Sequence, residues 1–285
     1  MNIYALSSGR GPSGIAIIRL SGKDTIKIAE LVSRKKNLNR SKINFCKFYN
    51  PLDNSLIDEG LLLLFPGPNS FTGDDLAEFH VHGSNAVITC LLEVLSQQSK
   101  CRLAEPGEFT KIAFQNNKID LLEAESIGDL IHSETELQRQ QAVKQTQGNA
   151  SNYYNNLREK LVKSLAHIEA QIDFAEDELP DNILKEVQNT IKQVQVDIKK
   201  ILEDNKIGEK IRMGFKVAII GEVNAGKSSL LNLLSKREVA IVSSEKGTTR
   251  DVIETYLNID GYPVILADTA GIREAKNEIE KKGVS

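Results

Sequence analysis

Residues 217 to 229, Val-Ala-Ile-Ile-Gly-Glu-Val-Asn-Ala-Gly-Lys-Ser-Ser, constrain this chain more than any other stretch. Val217 to Ile220 is a short apolar run, long enough for a buried strand. It ends at Gly221, and Gly226-Lys227-Ser228 completes the spacing G-x-x-x-x-G-K-[ST]. Leu230, Leu231, Leu233 and Leu234 continue as a helix pattern. A strand, a glycine loop and a helix N-terminus in that order form a phosphate cradle, because curled backbone N–H groups and the positive end of the helix dipole face one anion. The glycines let the backbone curl without a Cβ in the way. Lys227 then reaches the β and γ phosphates, and the Ser228 hydroxyl ligates Mg²⁺. Asn224, Ala225, Gly226 and Ser229 complete the candidate nucleotide loop.

The following residues extend the same chemistry. Val239 to Val242 leads into Ser243-Ser244-Glu245-Lys246-Gly247-Thr248-Thr249-Arg250-Asp251. Val252 to Ile259 alternates as a strand, Asp260-Gly261 is a strong hairpin signal, and Tyr262 to Ala267 returns as the partner. That strand ends in Asp268-Thr269-Ala270-Gly271, whose carboxylate falls where such enzymes place an acid near Mg²⁺. Gly271 lets a backbone N–H approach the γ-phosphate, and Thr249 is placed to join Ser228 in the Mg²⁺ shell.

The rest of the chain reads as two further regions. Residues 1 to 117 are mixed α and β, with strands at 15–20, 61–65 and 76–81, helices at 24–32 and 86–95, and a helical turn opened by Pro106-Gly107-Glu108. In residues 118 to 212 glycine and proline nearly vanish. Leu157, Leu161, Leu165, Ile168 and Ile172 mark one helix face, and Ile183, Val187, Ile191, Val194, Ile198 and Leu202 another. A third helical region runs from Leu121 through Val143, and amphipathic helices of this kind predict a bundle. The expected architecture is therefore multidomain: an α+β domain over 1–117, an α-helical bundle over 118–212 and an α/β P-loop domain over 213–285.

Composition narrows the function. Lys plus Arg is 36 against 39 Asp plus Glu, a net charge of −3, which argues against a broad charge-driven nucleic-acid binder but leaves room for a local basic patch. No apolar run approaches a membrane span, and Met1 to Leu6 has no secretion-signal pattern. Cys46, Cys90 and Cys101 fit neither a disulfide framework nor a CxxC metal site, so the expected location is a reducing cytoplasm.

The P-loop, Gly247-Thr-Thr-Arg-Asp251 and Asp268-Thr-Ala-Gly271 in this order resemble the translation-factor-like GTPases. Asn224 to Asn232, Gly247 to Asp251 and Asp268 to Glu274 resemble one family in detail, the tRNA-modification GTPases of the MnmE (TrmE) type. Pro66-Gly-Pro-Asn-Ser-Phe-Thr-Gly73, His82-Gly83 and Pro106-Gly-Glu-Phe109 resemble its N-terminal domain. The resemblance implies a folate-binding and dimerising N-terminal domain, and a GTPase inserted into the helical domain. It implies GTP hydrolysis together with a flavin-dependent partner, MnmG, at C5 of the wobble uridine (U34) of certain tRNAs. A tetrahydrofolate, as the 5-formyl or 5,10-methylene derivative, would supply the one-carbon unit.

By position, Arg19, Glu78 and Lys118 match the family's folate contacts. Ile272 stands just after D-x-x-G, where many GTPases place a polar residue that orients water. The resemblance implies that K⁺ takes the place of an arginine finger, held by Asn224 and by Ser243, Glu245 and Thr248. Glu280 then matches the water-orienting glutamate, and the catalytic set becomes Glu280, Lys227 and Asn224. The alternative reading is a folate-binding homodimer with a vestigial nucleotide site.

Three features depart from or complicate this picture. A GTPase domain of this type needs on the order of 160 residues, whereas 73 run from 213 to 285. The guanine-reading Asn-Lys-x-Asp expected well after Asp268 does not occur there, so the module reads as truncated and poorly stable, and weak or inactive GTP hydrolysis is expected of this chain by itself. Asn117-Lys118-Ile119-Asp120 has that pattern ahead of the P-loop, but Phe114-Gln115-Asn116 before it is no apolar strand, which makes it a decoy. Glu78, His80 and His82 share one strand face by period, and structural histidines are the expected reading.

Overall fold

Alternation along the strands decides which side chains of the N-terminal unit enter its core. In the computed structural model, residues 1–40, 43–173, 182–203, 207–220 and 254–267 are described, with 226, 230 and 233 between them. The chain divides into two compact units, Met1–Ala124 and Glu125–Ser285. The first contains β1 (Asn2–Leu6), β2 (Ser13–Ser21), α1 (Thr25–Ser33), β3 (Asn44–Tyr49), β4 (Leu56–Phe65), β5 (Leu76–Gly83), α2 (Asn85–Ser96), β6 (Cys101–Leu103) and α3 (Glu108–Gln115).

The six strands form one sheet in the order β3-β4-β5-β2-β1-β6. Every pairing is antiparallel except β1 with β6. Ile18 and Leu20 of β2, Phe79 and Val81 of β5, Leu62 and Leu64 of β4, and Cys46 and Phe48 of β3 point to one face. Ile28, Ala29 and Val32 of α1 and Ile88, Leu91, Val94 and Leu95 of α2 cover that face. Successive strand residues point to opposite sides, so Arg19, Glu78 and His80 lie on the other face. The predicted strands and helices of this unit all occur, each within a few residues of its expected ends, β4 beginning five residues before Leu61.

The second unit takes over within α4 (Leu121–Ile131) and continues through α5 (Glu136–Thr146), α6 (Asn149–Asp173), α7 (Ile183–Leu202) and α8 (Ile207–Met213). β7 (Phe215–Ala218), β8 (Glu254–Ile259) and β9 (Tyr262–Ala267) follow. The single helical region expected from Leu121 to Val143 is two helices. Thr135 is extended (φ −121°), its side chain accepts the Gln138 N–H, and the Gln138 side chain bonds back, a capping box that starts α5 afresh.

α6 and α7 pack as an antiparallel hairpin, with Lys160 Nζ 3.8 Å from Asp197 Oδ2 and His167 level with Glu186 and Val187. The helical stripes are only partly core. Leu157, Val187 and Val194 are buried, but Leu161, Leu165, Ile172, Ile191, Ile198 and Leu202 are exposed. Two helices in contact share one seam, so a broad apolar stripe is covered along a single line of it. Among the described residues α6 and α7 form a hairpin, α5 packs on α6 and α8, and side-chain hydrogen bonds tie α4 to α5 and to α8, so the helices associate as expected while much of each long stripe stays uncovered. No described helix is long and apolar enough to cross a membrane.

β7, β9 and β8 form a second sheet in that order. The predicted hairpin stands at Asp260-Gly261, both at positive φ (48° and 87°), with Ile259 opposite Tyr262. That is the geometry of a two-residue turn matching strand twist.

Candidate functional site

The register of two strands assembles the first candidate site. Arg19 on β2 lies directly opposite Glu78 on β5. Arg19 donates from Nε (3.1 Å) and Nη2 (2.7 Å), both to Glu78 Oε1. Glu78 Oε2 has His80 Nε2 at 3.4 Å. The Glu78 side chain is 14% exposed and that of Arg19 27%, so this ion pair is held at the sheet surface with its second oxygen sparsely used.

Two aromatic rings flank the guanidinium. The Arg19 Cζ lies 5.6 Å from the centroids of both Phe71 and Phe109, within cation–π range. Phe71 belongs to the loop between β4 and β5, and Phe109 to the first turn of α3. The loop is fastened on both sides: the Ser21 and Thr72 hydroxyls are 2.7 Å apart, and Asn116 Nδ2 donates to the Thr72 carbonyl at 2.7 Å. Gly73 sits at φ +82°, where a Cβ would lie 3.2 Å from Asn116 Cβ and from Lys118 Cγ. The same loop thus touches Arg19 through Phe71 and Lys118 at Gly73. Neither phenylalanine was singled out from sequence, although both lie inside the runs that carried the resemblance.

α3 is anchored where it delivers Phe109. Arg102 Nη1 donates to Glu108 Oε2 at 2.8 Å, Nη2 bonds the other oxygen, and the Glu105 N–H adds a bond at 2.8 Å. The Arg102 hydrogen bonds, with help from that N–H, pull the Glu108 carboxyl down from 4.5 to about 2. A depressed carboxyl contributes stability that is whole above pH 4.5 and fades as pH falls toward about 2. Urea midpoints of the unchanged chain should therefore drop from pH 5 to pH 2. Arg102→Met should lower the pH 5 midpoint and flatten that acid limb; an equally steep limb in the variant would contradict the assignment.

The Asn-Lys-x-Asp look-alike is explained locally. Asn117 takes the left-handed conformation (φ 54°), and the Lys118 N–H bonds back to the Ala113 carbonyl at 2.9 Å, closing α3. Asp120 Oδ1 accepts the Glu123 N–H at 2.8 Å, and Glu123 Oε2 accepts the Asp120 N–H at 2.8 Å, opening α4. Asn117 and Asp120 therefore serve a helix end and a helix start, and no strand precedes them. The histidine face is likewise occupied: His82 Nδ1 lies 2.9 Å from Asp58 Oδ1, and its N–H donates to Asp58 Oδ2. Among the described residues no group of three His, Cys, Asp or Glu can hold a metal ion.

The second candidate site begins at the ends of two strands. β7 and β9 run parallel, with Ala218 opposite Ala267. Both strands therefore end level, at the same end of the sheet. Ligands of α/β sheets sit beyond the carboxyl ends of parallel strands. Gly226 has φ +84°, the left-handed conformation that favours glycine, and its carbonyl accepts the Leu230 N–H at 2.9 Å. Asn224, Ala225, Lys227, Ser228, Ser229, Ser243 to Thr249, Asp268 to Gly271 and Glu280 lie outside the described residues.

Comparison with known proteins gives the family. The family model described as GTP-binding protein TrmE N-terminus matches residues 2–118, and the MnmE helical domain model matches residues 121–284. The tRNA modification GTPase MnmE of Pelagibacter ubique is 60% identical over 285 residues, covering 100% of this chain and 64% of that protein. Its counterpart in Rickettsia typhi is 47% identical, over 99% of this chain and 64% of its own length. The mitochondrial 5-taurinomethyluridine-[tRNA] synthase subunit GTPB3 of Danio rerio is 47% identical, over 99% of this chain and 56% of its own. The chain thus spans less than two thirds of the relatives it matches, yet the two family models run almost end to end along it, and the chain belongs to the MnmE (TrmE) family of tRNA modification GTPases.

Proposed function

We propose that this chain is part of a K⁺-stimulated GTP hydrolase that modifies C5 of the wobble uridine (U34) of certain tRNAs. In this reading it works with the flavoprotein MnmG and a tetrahydrofolate one-carbon donor, as a homodimer through its N-terminal domain. The observation that supports the nucleotide half is the level, parallel ending of β7 and β9, together with the positive φ of Gly226. Strands that end level would let the P-loop and Asp268-Thr-Ala-Gly271, which follow them in sequence, start from the same end of the sheet, the arrangement a triphosphate and Mg²⁺ require. Lys227 would hold the β and γ phosphates, Ser228 and Thr249 the Mg²⁺, and Ser243 to Thr249 and Asp268 to Gly271 the remaining phosphate contacts. Asn224, Ser243, Glu245 and Thr248 would hold K⁺, which supplies the positive charge that an arginine finger supplies elsewhere. Ile272 can neither donate nor accept, so Glu280 would orient the attacking water.

The folate half rests on the Arg19–Glu78 pair. A carboxylate with one underused oxygen suits the N–H edge of a pterin, the aromatic rings of Phe71 and Phe109 offer apolar walls, and exposed Lys118 suits a ligand carboxylate. The test is phosphate release from GTP at equal ionic strength in KCl and NaCl, with calorimetry of 5-formyl-tetrahydrofolate alongside. Release at least tenfold faster in KCl is expected. Indifference to the cation, with folate heat retained, would favour the folate module with a vestigial nucleotide site.

A further inference from the structure

The N-terminal unit gathers a basic surface that the sites above do not use. From Leu31 to Asn50 the chain has six basic residues, Arg34, Lys35, Lys36, Arg40, Lys42 and Lys47, and no acidic one, within a protein of net charge −3. All except Lys42, which lies outside the described residues, are exposed. Among the described residues none of these five forms an ion pair.

The fold brings Arg34, Lys35 and Lys47 to one edge of the sheet. Arg34 ends α1 in the left-handed conformation (φ 52°), and its guanidinium lies 4.5 Å over the Tyr49 ring. Lys35 Nζ donates to the Phe45 carbonyl at 2.5 Å, which holds the helix end to the edge strand β3. Phe45, Lys47 and Tyr49 alternate outward along β3 while Cys46 and Phe48 enter the core. Phe45 is 61% exposed, which is unusual for a phenylalanine. Arg34, Lys35, Phe45, Lys47 and Tyr49 line an open cavity of about 380 Å³, in which Glu59, opposite Lys47, is the sole carboxylate among the described residues.

We propose that this surface binds the sugar–phosphate backbone of an RNA strand, with Phe45 stacking on an unpaired base. Arg34 also donates to Asn54 Oδ1, and neither it nor Lys35 has a carboxylate partner among the described residues. Cations without a carboxylate beside an exposed ring are what single-stranded RNA recognition combines, charges tracking the backbone and a ring taking a base face. A lipid surface is the poorer match, because the cations come from a helix end, a loop and an edge strand around a concavity, whereas membrane-surface binding favours one amphipathic helix. The inference rests on the tRNA-modification reading and deepens it by placing an RNA contact on the N-terminal unit.

The test titrates the 285-residue chain with an unmodified tRNA transcript from 50 to 300 mM KCl. Lys35→Ala, Lys36→Ala and Lys47→Ala together should weaken binding about tenfold to a hundredfold near 100 mM salt and reduce the slope of log K against log salt by about 2. Phe45→Ala should weaken binding about fivefold or more and leave that slope unchanged. Arginine at the three lysine positions should retain binding, and Lys199→Ala with Lys200→Ala on α7 should change nothing. Three results would overturn the proposal: a triple alanine variant that binds like the unchanged chain, an unchanged chain that fails to bind the transcript at 50 mM, or capture by phosphatidylglycerol vesicles, and not by RNA, through the same lysines. The modification reading is decided separately by assaying wobble-uridine product with MnmG, GTP and a tetrahydrofolate donor present: patch-independent RNA binding leaves that reading standing, and patch-dependent binding without product under those conditions sinks it alone.

Discussion

Phe79→Ala is expected to lower the unfolding free energy of the N-terminal unit by about 3–5 kcal/mol. Phe79 is fully buried and meets Phe48 edge-on, with ring centroids 5.5 Å apart. It sits on β5, inside the six-stranded sheet, opposite Ile18 on one side and Leu62 on the other. Both of those neighbours belong to regular strands held by ladders on each flank, so the hole left by the ring cannot close easily. A domain of this size has a total stability of about 5–15 kcal/mol, and the loss should appear as a melting temperature lower by roughly 10–20 °C. Leu165→Ala on α6, where the side chain is 55% exposed, should cost less than about 1 kcal/mol. Urea melts followed by circular dichroism would compare the two. Equal costs would mean that the N-terminal core is not where these strands and helices place it. Phe79 also lies between Glu78 and His80, so the variant should loosen the polar face that the same strand carries on its other side.

That double duty of β5 bears on what the residues alone reveal. Leu76 to Val81 reads as a strand from its alternation, and the structure keeps it. β1 and β6 were not resolved beforehand. β6 is three residues long, too short for any period, and β1 lies between two neighbours and reads as near-continuous apolar sequence. β3 does alternate, but its outward Phe45 blurs the apolar-in, polar-out contrast on which such a reading depends. The stripes on α6 and α7 show a different limit. Periodicity says which residues share a face, and it does not say whether anything covers that face; Leu161 and Ile198 share theirs and are exposed.

The sites divide along the same line. The P-loop is local in sequence, so its pattern was readable, and the bent Gly226 fits it. Arg19 and Glu78 are fifty-nine residues apart, and only the antiparallel register makes them partners. Their joint role came from a family resemblance and not from spacing. Phe71 and Phe109 join them because a loop and a helix end fold over the sheet, a long-range event that no local period encodes. Asn117-Lys118-Ile119-Asp120 is the converse. A pattern that carries chemistry in a strand-end loop carries helix capping when it lies between α3 and α4.

Arg19→Met is expected to weaken binding of 5-formyl-tetrahydrofolate about a hundredfold, equivalent to about 2.7 kcal/mol. A loss of that size follows if a charge-assisted contact to the ligand and the orientation of Glu78 disappear together. The variant should also destabilise the N-terminal unit by about 2 kcal/mol, because it leaves the largely buried Glu78 carboxylate without its cation. Both effects occur if the pair holds ligand, but a purely structural pair would give the second alone, so the single variant does not separate the two readings. Adding Glu78→Gln does. With both charges gone, no unpaired ion remains in the sheet face, and most of the lost stability should return. Binding should not return, because Glu78 Oε2, which among the described residues has one hydrogen-bond contact, to His80 at 3.4 Å, is the acceptor that would take a ligand N–H. The Phe71 and Phe109 rings would still be present, so any apolar contribution to binding would survive in the double variant as a weak residue of affinity. A double variant that is stable and binds the folate as tightly as the unchanged chain would show that the pair is a fastening between β2 and β5 and nothing more.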